Sequence, residues 1–183
     1  MTILKTGFGL LILGALVALV IFKSFYANPL QSYQDTSPVI DFRNYFNGPI
    51  KAWGIVQDWR GRVVTRFDIK MIGTWDGDTG TLKEHFDYYN GKTQERMWTI
   101  HKHSNGAYEG TAPDVKGLAK GYSSGSAVHW RYVMNLAIGD KTYAVNFDDW
   151  MWMMHDDVLI NRSYIKKFGI TVAELTIFMQ KRQ

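Results

Sequence analysis

"NLAIGDKTYAVNFDDWMWMMHDD", residues 135–157, holds two turn signals with an aromatic-rich strand between them. "IGDK" reads as a hairpin with a two-residue loop, Gly139-Asp140, and glycine at the first position suits a type II′ turn. Loop length fixes the register, because a slip of one residue sends every side chain to the opposite face. Ile138 then opposes Lys141, Leu136 meets Tyr143, Met134 meets Val145, Tyr132 meets Phe147 and Trp130 meets Asp149. That face is apolar except at its far end, so it is read as the inner one. Asn135, Arg131 and His129 fall outside, with Arg131 opposite Asp148. Taking His155-Asp156 as the next loop places Met151 opposite Ile160 and Asp149 opposite Arg162. The strand therefore points Phe147, Asp149, Met151 and Met153 inward, and Asp148, Trp150, Trp152 and Met154 outward.

The same grammar extends along the chain. Runs of six to ten residues rich in Val, Ile, Thr and aromatics alternate with "RG" at 60, "DGD" at 76, "NG" at 90, "NG" at 105, "GD" at 139, "HDD" at 155 and "FG" at 168. Such spacing predicts an antiparallel meander closed as a barrel or stacked as a sandwich. "YNGK", taken as a three-residue loop with a bulge, puts Glu84 opposite Arg96, Phe86 opposite Gln94 and Leu82 opposite Trp98. "DWRGR", read the same way, sends Trp53, Ile55 and Gln57 inward with Val63, Thr65, Phe67 and Ile69. "GLAKGYSSGSA" (117–127) reads as a weak strand with loops and a candidate rim over a barrel mouth.

Ahead of these strands, Gly7 to Phe22 is an uncharged apolar run bracketed by Lys5 and Lys23, close to the length that spans a bilayer. A cleaved signal would need small residues before the cut, and "SFYA" puts Phe25 where one belongs. The expectation is an N-terminal membrane anchor or uncleaved signal over 1–27, a linker over 28–47 and one β-domain over 48–183. The whole sequence has 183 residues, a formal charge of +4 and no cysteine. The missing cysteines exclude disulfides, thiolate nucleophiles and zinc–thiolate sites. The mild positive excess is that of a solvated surface, so no nucleic-acid partner is expected; it suits a nearby anionic membrane.

Two ion pairs on an inner face, Glu84–Arg96 and Asp149–Arg162, are the residues that ask for a function, because burying charge is costly. With Trp53, Phe67, Phe86, Trp98, Trp130 and Tyr132 around them, they describe an apolar pocket with a few placed polar groups. The arginines suit a carboxylate or phosphate head group. A structural cross-brace in a filled barrel is the competing explanation. Outside, Trp150, Trp152 and Met154 form a stripe that is either covered by the linker or a terminal helix, or offered to the bilayer or a membrane-protein partner. His101 and His103 share the outer face without a third ligand, and "GTWDGDTG" has no lysine to hold a phosphate, so neither metal nor cofactor is expected. No Ser-His-Asp grouping can be assembled. Enzymatic activity is uncertain, and Glu84 or Asp149 is the proton-transfer group if there is one.

The segments "WGIVQDWRGRVVTRF" (53–67), "GTWDGDTGTL" (73–82), "WRYVMNL" (130–136), "FDDWMW" (147–152) and "NRSYIKKFGI" (161–170) resemble the bacterial DUF3833 family, mostly putative lipoproteins. Members usually carry a lipidated cysteine after the signal; this sequence has none, so the helix itself would be the anchor. "NGPIKAW" also resembles the first strand of lipocalin-like calycins, although Gly48 and Trp53 are five apart. The resemblance implies an all-β, up-and-down lipocalin-like barrel behind an N-terminal transmembrane helix. It also implies a single-pass protein of a bacterial inner membrane, its domain in the periplasm. The function implied is binding of a lipid or amphipathic acid, linked to modification of membrane fatty acids.

Overall fold

A computed structural model describes Gly14 and residues 29–182. The expected anchor over 1–27 lies outside the described residues except at Gly14; among the described residues no helix is long and apolar enough to cross a membrane. Ten antiparallel strands close into a barrel in which every neighbour in space is a neighbour in sequence, and β1 pairs with β10. They are β1 (Gly48–Asp58), β2 (Val63–Asp76), β3 (Thr79–Tyr88), β4 (Thr93–Lys102), β5 (Ala107–Thr111), β6 (Val115–Ser124), β7 (Ala127–Ile138), β8 (Lys141–Met153), β9 (Val158–Lys167) and β10 (Ile170–Lys181). Closure removes both sheet edges and leaves one face per strand for a common interior.

Residues 29–47 shut one end. A 3₁₀ turn, Leu30–Tyr33, leads to a single helical turn, α1 (Phe42–Tyr45). Asp41 caps α1 by accepting from the Asn44 backbone N–H at 3.1 Å. Phe42, Tyr45 and Phe46 are buried with the barrel core. Phe42 packs against Tyr108 at 4.8 Å and Trp130 at 5.7 Å, and Trp75 Nε1 donates to the Phe46 carbonyl at 3.0 Å. The stretch expected to be a linker is thus the floor of the barrel. Among the described residues, nothing covers the opposite end, where the hairpins β1–β2, β3–β4, β5–β6, β7–β8 and β9–β10 turn.

The hairpin at Gly139-Asp140 has the expected register throughout, including Tyr132 with Phe147 and Trp130 with Asp149. So does β3–β4, where Glu84 faces Arg96 and the Tyr88 N–H donates to the Lys92 carbonyl around a three-residue loop. Two hairpins differ. In β1–β2 the loop is the expected one, with the Asp58 N–H donating to the Arg62 carbonyl, but Val64 is an extra residue in β2. Beyond it Gly54, not Trp53, faces Phe67. Trp53 therefore points outward, its ring tilted against Phe178 at 5.8 Å and 38% exposed. The Phe67 ring lies over Gly54, where a Cβ would come within 2.3 Å of it.

In β8–β9 the loop is His155-Asp156-Asp157, three residues, closed by the Met154 N–H on the Val158 carbonyl at 2.8 Å. Asp156 and Asp157 both take positive φ, 59° and 55°. Asp149 consequently pairs with Ser163, and Arg162 pairs with Trp150 on the outer face. Residues 117–127 belong to β6 and its turn into β7; that turn packs on the floor segment, with Ile40 N–H donating to the Gly125 carbonyl at 2.9 Å. It is not a rim of the mouth.

Candidate functional site

The barrel is hollow. A cavity of about 650 Å³ runs from Phe42 and Phe46 at the floor to Thr65, Leu136 and Ile138 near the mouth. Of the residues expected to line a pocket, Phe67, Glu84, Phe86, Arg96, Trp98, Trp130, Tyr132 and Asp149 do so. Trp53 and Arg162 do not, for the register reasons above. Arg162 instead forms an exposed ion pair with Glu174 through NH2, with Nε 3.2 Å away.

Apolar side chains dominate the lower wall, among them Met71, Ile100, Ile177 and Met179. A polar belt crosses above them. On one side Arg96 Nε donates to Asp114 Oδ1 at 3.0 Å, and its NH2 lies 3.0 Å from the same oxygen. The guanidinium stacks over Trp98 at 4.5 Å. Its NH1 is 3.7 Å from Glu84 Oε2, too far for a hydrogen bond, and that buried oxygen has no hydrogen-bond partner. Burial pushes the Glu84 carboxyl up to about 7; Arg96 opposes the rise, while Asp114 and Asp149 add to it.

On the other side Asp149 is held by neutral donors: Tyr132 Oη at 2.9 Å, Asn161 Nδ2 at 3.0 Å and Ser163 Oγ. Burial raises its pKa, and the three hydrogen bonds oppose the rise without cancelling it. Asn161, Ser163 and Asp114 are site residues that the sequence reading missed. The first two follow from a three-residue reading of "HDD". Asp114 sits in "APD", where the Val115 N–H closes on the Ala112 carbonyl at 3.0 Å, a turn that proline at its second position signals.

Trp130 completes the wall. Its ring lies flat on β6 at Gly121, where a Cβ would stand 2.5 Å from it, so only glycine fits there. Its Nε1–H is buried without a hydrogen-bond partner. The cavity therefore presents two donors without a hydrogen-bond partner, Trp130 Nε1 and the Arg96 terminal nitrogen that faces Asp114, and one unpaired carboxylate oxygen, groups that a bound molecule would satisfy.

The outer stripe divides. Trp150 is buried between the His129 ring, 4.1 Å away and nearly parallel, and Trp152, with Tyr33 of the floor segment at 6.1 Å. Trp152 is half-buried and Met154 exposed. Asp148 turns outward as expected, but its partners are His129 Nε2 at 2.6 Å and Lys166 rather than Arg131. His101 and His103 sit edge to face at 4.9 Å, with His103 beside Glu109.

A family model described as "Protein of unknown function (DUF3833)" matches residues 19–181. No curated protein matches the chain. Among solved structures, the crystal structure of Rv2717c from M. tuberculosis is similar, with a TM-score of 0.58 and 12% sequence identity over 81% of this chain and 100% of that one. At that identity the likeness is one of fold.

Proposed function

The chain belongs to the DUF3833 family, and we propose that it is a binding module holding an amphipathic lipid inside its barrel. The hollow of about 650 Å³ carries this reading, since it has the size and make-up of a small-molecule site: apolar below, with a few converging polar groups above. An acyl tail would lie against Phe42, Met71, Ile177 and Met179. Its polar end would reach the belt of Glu84, Arg96 and Trp130.

The expected acid head group rested on two inward arginines. With Arg162 outside, a single guanidinium faces Glu84, Asp114 and Asp149, and Asp114 already occupies it. Another anion would enter a region already rich in carboxylates. An uncharged or cationic head, a hydroxyl or an amine donating to Glu84 Oε2, fits better. The full chain titrated with dodecanol, dodecylamine and dodecanoate should change its tryptophan emission through Trp98 and Trp130, with the first two binding more tightly than the third at pH 7. Silence toward all three, and no lipid extracted from the purified chain, would sink the reading.

The apolar run Gly7–Phe22 supports a single-span tether, and the proposed setting is the periplasmic side of a bacterial inner membrane. Resistance of the full chain to alkaline carbonate extraction tests the tether. A second reading, an enzyme acting on the bound lipid, is favoured by one observation: Glu84 titrates near 7, where a general acid or base works best. If so, E84Q lowers turnover of a bound lipid by far more than its weakening of lipid binding accounts for.

A further inference from the structure

We infer that the open end of the barrel docks on an anionic lipid bilayer facing the one that would hold the tether, so that ligand passes between cavity and that second membrane through the mouth. This rests on the lipid-binding reading and adds the partner and the route. The tips of the mouth hairpins expose large aromatic side chains, one of which, Tyr89, donates its hydroxyl to Asp68 Oδ1 at 3.1 Å. Phe168 is 91% exposed, Trp59 70% and Tyr89 62%. They belong to three different hairpins, β9–β10, β1–β2 and β3–β4, and so ring the opening rather than forming one continuous patch.

Each ring also carries a cation. Lys167 Nζ stands 5.1 Å from the Phe168 centroid, the Arg60 guanidinium 4.5 Å from Trp59 and the Arg66 guanidinium 5.0 Å from Tyr89. Lys92 and Lys141 lie on the same end; of the acidic residues in the mouth turns, Asp58 is neutralised by Arg62 at 2.6 Å and Asp114 by Arg96 at 3.0 Å, which leaves Asp140. At the closed end the hairpin turns 76–79 and 154–158 carry Asp76, Asp78, Asp156 and Asp157 and no lysine or arginine. Arg43, Lys102 and Lys181 also lie at that end, so its charge is mixed, whereas the aromatic tips of the mouth are each flanked by basic side chains.

Aromatic rings paired with basic side chains suit the boundary between head groups and acyl chains: the rings enter the interface and the cations meet anionic lipid. A soluble protein partner would be better served by a continuous patch. Insertion of three separate tips also sets the cavity opening against the bilayer, where an amphipathic ligand resides.

The absence of cysteine allows a clean test. An environment-sensitive fluorophore is attached through Asp140→Cys at the mouth or, in a second sample, Asp78→Cys at the closed end. Full-length chain in phosphatidylcholine nanodiscs is then titrated with phosphatidylglycerol or phosphatidylcholine vesicles at low salt. The mouth label should shift to the blue with phosphatidylglycerol and not with phosphatidylcholine, and the closed-end label should stay unchanged. Combining Arg60→Glu with Lys167→Glu should weaken the response by roughly tenfold or more, and Trp59→Ser with Phe168→Ser should abolish it. A silent mouth label, or equal shifts at both ends, overturns the proposal. Neither Trp59 nor Phe168 lines the cavity, so dodecanol binding in solution should survive in the Trp59→Ser/Phe168→Ser chain. A wild type that binds dodecanol but does not dock removes only the docking role. Docking retained in a wild type that binds no amphiphile removes only the cavity reading and the transfer that rests on it.

Discussion

Asp148 and Asp149 are adjacent in the chain and live in opposite worlds. Asp148 faces out between His129 and Lys166, whose hydrogen bonds and charge hold its carboxyl well below the usual range. Asp149 faces in among Tyr132, Asn161 and Ser163, all neutral, and burial pushes its pKa up. The pleat alone separates them. Outside, a carboxylate is kept charged by charged partners; inside, it is kept in place by hydrogen bonds that do not depend on its charge. A cavity wall built the second way can receive a ligand without first losing an ion pair.

The contrast can be broken from the inside first, where the expected effect is largest. Asp149→Ala leaves three buried donors without their acceptor and should cost about 2–4 kcal/mol in urea unfolding at pH 7. Asp149→Asn keeps an acceptor for those donors and should cost much less. Equal losses for the two would mean that the charge itself matters.

Glu84 gives the next effect, and its sign is opposite to that of an ordinary surface carboxylate. Its folded-state pKa, about 7, lies above the ordinary glutamate value of 4.5, so the folded chain holds the proton more tightly than the unfolded one. Stability is therefore lost as pH rises from near 4.5 through 7, by about 3 kcal/mol for a fully buried group. The E84Q chain should lack this slope and be the more stable of the two above pH 7. Parallel stability curves for wild type and E84Q between pH 4 and 8 would exclude the burial described here.

How far these residues could be read from sequence depended on turn chemistry. Asp149 was placed inward because Gly139 fixes one hairpin, and Glu84 and Arg96 because "YNGK" fixes another. Hydrophobic alternation could not have corrected the β8–β9 register, since Val158, Leu159 and Ile160 leave both faces of β9 apolar at its start. The choice lay between two and three loop residues, and the positive φ of Asp156 and Asp157 settles it for three without a glycine to announce it. Val64 is harder still: a bulge one residue past a correctly read loop has no signal in "RVVTRF", yet it turns Trp53 out of the cavity. Seven turn signals mark seven real turns, while "APD" and the Gly125-Ser126 turn were left unread. That omission hid Asp114, and with it the partner that occupies Arg96.

On the outer side the effects should be smaller. Asp148→Asn removes a half-buried carboxylate from His129 and Lys166, and about 1 kcal/mol is expected at pH 7, discounted for solvent. Because the folded-state pKa is depressed, this contribution is present above the usual aspartate value of 3.8 and lost as pH falls below it. Urea unfolding of wild type and D148N should show a difference that begins to narrow below pH 3.8 and is still open at pH 3, and high salt should shrink it at pH 7.

Arg162 should give the smallest effect, and it tests the register most directly. An inward Arg162 paired with Asp149 would leave a stranded buried charge when either was removed, costing about 3–5 kcal/mol. An outward Arg162 touches only Glu174 and the Tyr164 ring, at 46% side-chain exposure, so Arg162→Ala should cost under about 1 kcal/mol. Combined with Asp149→Ala, the two changes should add, because they sit on opposite faces and share no partner. Arg162→Ala with Glu174→Ala should instead show a small coupling that salt removes. A coupling of several kcal/mol between positions 149 and 162 would put the arginine back inside the barrel. It would also return to the cavity the second cation that an acid ligand needs.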